Sequence, residues 1–123
     1  MRKLFLIVLV LGVLVSGCVP AKELTIDDHG SRVRLRDGDT MQVTLEANRK
    51  AGYEWTVYEI KNTILQQVGA TEYIEKGVIT PEACCDAIFT FEAVGVGETG
   101  LVIGYHKPDE EPENTFVITV IVE

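Results

Sequence analysis

Alternation of apolar and polar residues dominates the chain after about residue 24. The stretch MQVTLEA sets Met41, Val43, Leu45 and Ala47 on one face and Gln42, Thr44 and Glu46 on the other. AIFTFEA repeats the pattern with Phe89 and Phe91 against Thr90 and Glu92, and TFVITVIV aligns Phe116, Ile118, Val120 and Val122. A period of two is the signature of a β-strand with one buried face. The opposite face of the last stretch, Val117, Thr119 and Ile121, is also largely apolar, as expected of a strand covered on both sides or closing a sandwich. Turn residues divide these runs: Asp37-Gly38-Asp39, Ala51-Gly52, Gly95-Val96-Gly97, and the segment from Pro108 to Asn114. The pattern predicts about eight or nine short strands, near residues 24–27, 31–36, 41–47, 54–60, 64–68, 71–75, 87–94, 99–106 and 115–122. Many short strands with regular turns imply an all-β sandwich or barrel. No segment repeats, and the Cys…Trp…Cys pattern of antibody-type domains is missing.

The amino terminus follows a different rule. Arg2 and Lys3 precede the apolar run Leu4 to Val15, which falls short of the roughly 20 residues a membrane-spanning helix needs. A basic start, a short apolar middle and small residues at the end make a secretory signal peptide over residues 1–17. Its end, LVSGC, Leu14 to Cys18, resembles the lipobox of prokaryotic lipoproteins, in which the cysteine becomes the lipidated first residue of the mature protein. The competing reading is an ordinary signal peptide followed by a chance cysteine. The lipobox implies a lipid anchor at Cys18, a short tether over 18–23, a sandwich domain over 24–123, and a place on the cell membrane facing the outside or the periplasm.

Length and charge narrow the functions. The 123 residues suffice for one domain. The whole chain carries a net charge of −8, and the leader holds Arg2 and Lys3 but no acid, so its removal leaves a still more acidic domain. An acidic domain lacks the basic footprint that nucleic acid or an anionic lipid surface requires, so no nucleic-acid partner is expected. The expected oligomeric state is a monomer.

Residues capable of chemistry are few. His29 stands before Gly30 in a turn, and His106 closes a predicted strand. Cys85 with His106 would suit a thiolate–imidazole pair, but no orienting partner or oxyanion-hole motif accompanies them. Cys84, Cys85 and His106 make a poor zinc set, because adjacent thiols rarely reach one tetrahedral ion. Asp109-Glu110-Glu111 lacks the alternating ligands of a calcium loop and reads as a solvated charged loop. No enzymatic activity, metal or cofactor is expected. Neighbouring Cα atoms lie about 3.8 Å apart, whereas an ordinary disulfide wants about 4.4–6.8 Å, so Cys84 and Cys85 are expected as free thiols in a loop on which the fold does not depend. An oxidising compartment favours the opposite outcome, a vicinal bridge or a mixed disulfide.

NRKAGYEW, Asn48 to Trp55, resembles the N-P-T-T-G-[YF]-x-W loop of the chagasin-type inhibitors of papain-like cysteine proteases. Asn48, Gly52, Tyr53 and Trp55 match; Arg49, Lys50 and Ala51 replace the proline and two threonines. Residues 87–110, AIFTFEAVGVGETGLVIGYHKPDE, are similar to the family's F-x-V/F-x-A…G…L-x-L-x-Y-x-R-P-W segment, with Gly97, Leu101, Ile103, Tyr105 and Pro108 in register and Lys107 at the arginine. Cys84-Cys85 stands where the family has a glycine pair, and Asp109 where it has tryptophan. The resemblance implies an immunoglobulin-like β-sandwich whose three loops at one end plug a protease cleft. It places the contacts at Asn48, Arg49, Lys50, Ala51, Gly52 and Tyr53, at Glu82, Ala83, Cys84, Cys85 and Asp86, and at His106, Lys107, Pro108 and Asp109. Trp55 reads as a core residue rather than a contact. The alternative is a lipid-anchored sandwich that binds an envelope partner and inhibits nothing.

The lipobox yields a direct prediction. Each buried CH₂ of an acyl chain contributes about 0.8 kcal/mol, and stable anchoring takes more than one chain. Cys18→Ser is expected to move the protein from the membrane pellet to the soluble fraction; a mutant that sediments like the wild type would refute the lipobox reading.

Overall fold

A computed structural model describes residues 19–76 and 84–123; the leader, Cys18, Glu82 and Ala83 lie outside the described residues. Nine strands are present among the described residues: β1 (Lys22–Leu24), β2 (Arg32–Leu35), β3 (Thr40–Ala47), β4 (Glu54–Glu59), β5 (Leu65–Gln67), β6 (Glu72–Glu75), β7 (Cys85–Ala93), β8 (Gly97–His106) and β9 (Asn114–Val122). They form two facing sheets, an immunoglobulin-like β-sandwich. One sheet runs β1-β3-β7-β5, with β6 also pairing on β7; the other runs β2-β9-β8-β4. β1 lies parallel to β3 and β2 parallel to β9, while every other pair is antiparallel. The crossover between β1 and β2 therefore carries the chain from one sheet to the other.

The predicted alternation is the observed burial. Met41, Val43, Leu45 and Ala47 of β3 pair with Phe91, Phe89, Ala87 and Cys85 of β7 within one sheet, and both rows point into the core. Leu101 and Ile103 of β8 and Phe116, Ile118, Val120 and Val122 of β9 close it from the other sheet. Full burial of each such large side chain contributes about 1.5–3 kcal/mol. Val117 on the outer face of β9 remains 37% exposed, so this strand closes the sandwich without being covered on both sides.

The first predicted strand is displaced. Residues 24–27 were expected to be extended, but pairing with β3 ends at Leu24 and Ile26–Asp28 form a 3₁₀ turn. Thr25 and Asp28 explain the change: the Thr25 hydroxyl accepts from Asp27 N at 3.3 Å, and Thr25 N donates to the Asp28 carboxylate at 2.9 Å. These side chains offer the backbone a capping box in place of a sheet ladder.

At the end of the sandwich where β7 turns into β8, packing is set by Gly95. Val94 N donates to Ile64 O at 2.8 Å, which draws the turn against the link between β4 and β5. A Cβ at Gly95 would lie 2.3 Å from the backbone oxygen of Thr63. A rigid backbone atom cannot give way as a side chain can. Gly95→Ala is therefore expected to lower the unfolding free energy by about 1–3 kcal/mol, measured by urea denaturation; an unchanged midpoint would show that the turn yields freely.

Candidate functional site

Three connections meet at the opposite end, where β3 and β8 finish and β4, β7 and β9 begin. Ladder pairs define it: Ala47 opposite Cys85, Glu54 opposite His106, and Tyr105 opposite Asn114.

The loop between β3 and β4 is a single capped turn. Asn48 precedes a 3₁₀ turn over Arg49–Ala51, and its side-chain Oδ1 accepts from Ala51 N at 3.2 Å. Gly52 N donates to Arg49 O at 3.0 Å, and Gly52 takes the left-handed conformation, φ 94°, that turns the chain into β4. Only glycine adopts that conformation without cost, so the sequence motif has a local backbone reason. Arg49, Lys50, Ala51 and Gly52 are exposed at the tip, while Asn48 and Tyr53 are half-buried.

Beneath the tip lies a platform of aromatic side chains. The Tyr105 hydroxyl, on β8, accepts from Asn48 N at 2.8 Å. Its ring stacks on Tyr53, with centroids 4.7 Å apart and planes 13° apart, and tilts against Trp55 at 4.8 Å. Trp55 is buried, as expected, and its indole N–H donates to Glu46 O at 2.9 Å, while Trp55 N donates to the Tyr73 hydroxyl at 3.0 Å. The Arg49 guanidinium lies 4.1 Å above the Tyr73 ring and 3.5 Å from the Glu54 carboxylate. Lys107 Nζ sits 5.2 Å from the Tyr53 ring centroid. A hydrogen bond to the Glu113 carboxylate is the leading cause that raises the Tyr53 phenol above its ordinary pKa.

The connection between β8 and β9 is a turn over 107–110, in which Glu110 N donates to Lys107 O at 3.1 Å and Asp109 takes positive φ, 62°. Pro108 and Asp109 are exposed and Lys107 is half-buried. His106 is not on this surface. It is 8% exposed at the end of β8, with Nδ1 2.8 Å from Lys107 O and Nε2 2.8 Å from the Thr56 hydroxyl. A carbonyl only accepts, so Nδ1 carries the proton and, in the neutral ring, Nε2 accepts from Thr56.

The cysteines correct the sequence reading. Cys84 and Cys85 are joined to each other by a disulfide, rather than remaining free thiols, and are 1% and 4% exposed. The reason is the phase of the alternation. Cys85 opens β7 in the same inward register as Ala87, Phe89 and Phe91. Cys84 N donates to Ala47 O at 3.2 Å and Cys84 O accepts from Lys76 N at 2.9 Å. The pair thus ties the ends of β3, β6 and β7 together beneath the loops, and a bridged pair is the apolar form that a dry position accepts. Serine at both positions would bury hydroxyls, so the expected indifference of the fold to that change does not survive this placement. Asp86 points outward, 3.2 Å from Lys76, which also meets Glu46 at 2.8 Å. The Glu46 hydrogen bond is the leading cause that raises the Lys76 pKa above its usual value.

Sequence reasoning missed Tyr73 and Glu113. Nothing local marks Tyr73, because its contacts cross from one sheet to the other. Beside the platform, a groove of about 450 Å³ is lined by Thr25, Asp27, Glu46, Trp55 and Lys76. Among the described residues no three His, Cys, Asp or Glu side chains gather as a metal site.

The profile of Chagasin family peptidase inhibitor I42 matches residues 34–120, which span both sheets and the loop platform. The chain belongs to the chagasin family of peptidase inhibitors. No curated protein sequence matches it significantly. Among solved structures it is similar to the cysteine protease inhibitor EhICP2 of Entamoeba histolytica, at 15% identity and a TM-score of 0.69, with 85% of this chain and all of that one covered. It is also similar to amebosin, at 22% identity and a TM-score of 0.67 over the same shares. PbICP-C, solved in complex with falcipain-2, follows at 17% identity and a TM-score of 0.51, covering 85% of this chain and 91% of that one. These likenesses establish the fold that the chagasin-type chain shares with them.

Tyr105→Phe tests the platform. It leaves the stack intact and removes the hydroxyl that Asn48 N donates to, at a cost of about 0.5–1.5 kcal/mol for one lost hydrogen bond. The expected result is faster hydrogen exchange at residues 48–53 with the core amides unchanged; uniform protection would show that the hydroxyl does not hold the loop.

Proposed function

We propose that this chagasin-family chain inhibits papain-like cysteine proteases by occlusion. The observation that carries the reading is the exposed turn Arg49–Gly52 standing on a fixed platform of Tyr53, Trp55, Tyr73 and Tyr105. A loop already held in one shape loses little entropy on docking, so more of its contact energy appears as affinity. Asn48 to Gly52 form the central wedge against the protease's catalytic cysteine, and Lys107, Pro108 and Asp109 flank it on one side. The other flank is formed by Glu82 and Ala83 with Asp86 at the start of β7. Cys84, Cys85 and His106 support these flanks from below, being buried. The structural neighbour PbICP-C, in complex with falcipain-2, favours a protease partner of this class.

The chain is also proposed to be a lipoprotein, anchored to the cell membrane through Cys18 and facing the outside or the periplasm, on the strength of its lipobox.

Asp109 favours a second reading. An interface tryptophan is a typical hot spot whose loss costs about 2–4 kcal/mol, or roughly 30- to 700-fold in affinity. An acidic residue in its place suits a lipid-anchored binding module of the envelope that inhibits nothing. A pull-down with the protein as bait separates the two by whether a protease is captured.

Titration of the Cys18→Ser protein against several papain-like proteases checks the inhibitor reading. Inhibition is expected in the micromolar range, and absence of inhibition at about 100 μM, where even a Kd of that size gives half occupancy, removes it for those enzymes. Asp109→Trp is expected to tighten inhibition by about tenfold or more, read as the change in Ki.

A further inference from the structure

The first strand fixes which end of the sandwich the amino terminus leaves from. Lys22 pairs in parallel with Met41, and Ala21 N donates to Thr40 O at 2.8 Å, so the chain enters beside the start of β3. The wedge loop follows the other end of the same strand. Eight residues of β3 at about 3.3 Å each separate the two poles by roughly 25 Å. Cys18 precedes Ala21 by only two intervening residues, Val19 and Pro20, a reach of about 10 Å at most.

The pole at which the chain enters is rigid and bears apolar side chains. Gly38 N donates to Ala93 O at 2.8 Å, Ala93 N to Asp39 O at 2.9 Å, and Asp37 N to Glu123 O at 3.2 Å, which gathers the β2–β3 turn, the β7–β8 turn and the carboxyl terminus into one surface. Gly95, backed against Thr63 O, holds the β7–β8 turn in place. Val96 at its tip is 71% exposed, Val94 beside it 38%, and Val19 on the incoming segment 71%. Arg36, Asp37 and Asp39 lie in the β2–β3 turn and Glu123 at the carboxyl terminus, so charge at this pole supplies no attraction to anionic headgroups.

We infer that this pole, with Val94 and Val96 at its tip, rests on the phospholipid surface, and that the wedge loop points away from the membrane. The inference rests on the proposed lipid anchor at Cys18. The acyl chains supply the affinity; the two-residue link and the valines set the orientation, the valines entering the headgroup boundary. A protease cleft then meets the loop from the aqueous side, about the length of one strand above the bilayer.

Trp55, the chain's one tryptophan, lies at the loop end and reports on that pole. The experiment uses the full chain expressed with its leader, recovered from membranes and reconstituted in phosphatidylcholine–phosphatidylglycerol vesicles with or without brominated acyl chains. Wild type, Val96→Trp and Lys50→Trp are compared. The added emission of V96W is expected to lose most of its intensity on brominated lipid, while the wild-type and K50W emissions stay as they are on ordinary lipid. K50W controls for a tryptophan that inserts by its own hydrophobicity. Unquenched V96W emission, or quenching of the wild type or K50W, overturns the orientation while leaving the anchor intact. Failure of any lipidated protein to remain with the vesicles overturns the inference by removing the anchor itself.

Discussion

The hydrogen bond from Asn48 N to the Tyr105 hydroxyl joins the two sheets at the end where the loops emerge. Tyr105 belongs to β8 and Asn48 follows β3, so this contact at 2.8 Å couples the central strand of one sheet to that of the other. Everything above it depends on the position of Tyr105: Tyr53 stacks on its ring, Lys107 caps Tyr53, and Asn48 closes the turn that displays Arg49 and Lys50. Tyr105 is in turn placed by the core. Its neighbours in the strand, Ile103 and Leu101, are fully buried, and the pairing of Tyr105 with Trp55 and Asn114 fixes its register on both sides. A slip of one residue in β8 would turn Tyr105 to the opposite face and dissolve the platform.

The same logic explains why the loop end needs little beyond packing to be rigid. Trp55 spans the sandwich, donating from its indole to Glu46 O and from its backbone to Tyr73. The disulfide between Cys84 and Cys85 lies at the start of β7, where Cys84 N meets Ala47 O. The β3–β4 and β8–β9 loops therefore start from backbone already paired in a ladder, and only a short turn is left between their strands.

The sheets were legible in the sequence because their faces alternate. Met41 to Ala47, Ala87 to Phe91 and Phe116 to Val122 each repeat with period two, and burial follows that period. Gly52 was legible too, since the turn requires its positive φ. Elsewhere, side chains outvoted the pattern. Thr25 and Asp28 drew the backbone into a capped turn where extension was expected. Cys85 counted as loop because the glycine-pair position of the family is a loop, yet its inward phase with Ala87 made it the first residue of β7. Tyr73 stayed hidden because its partners are distant in the chain, Arg49 in the β3–β4 turn and Trp55 in the other sheet. Contacts between sheets leave no periodic trace.

Arg49 shows how a departure from the family pattern can keep the loop's shape. A proline at this place would restrict φ in the unfolded chain and stabilise a compatible turn by about 0.4–1 kcal/mol. Arginine has no such restriction. Its guanidinium instead lies 4.1 Å above Tyr73, a contact that contributes about 0.5–1 kcal/mol at an exposed site. The 3.5 Å approach to Glu54 adds at most about 1 kcal/mol, since both side chains are more than a third exposed. The two routes are of similar size, so a side-chain tether can stand in for a backbone restriction. They differ in what they require: proline acts alone, whereas Arg49 works only with Tyr73 on β6 and Glu54 on β4 in place. The shape of the Arg49–Ala51 turn is therefore conditional on both sheets, and the platform beneath it matters as much to that shape as the residues at its tip.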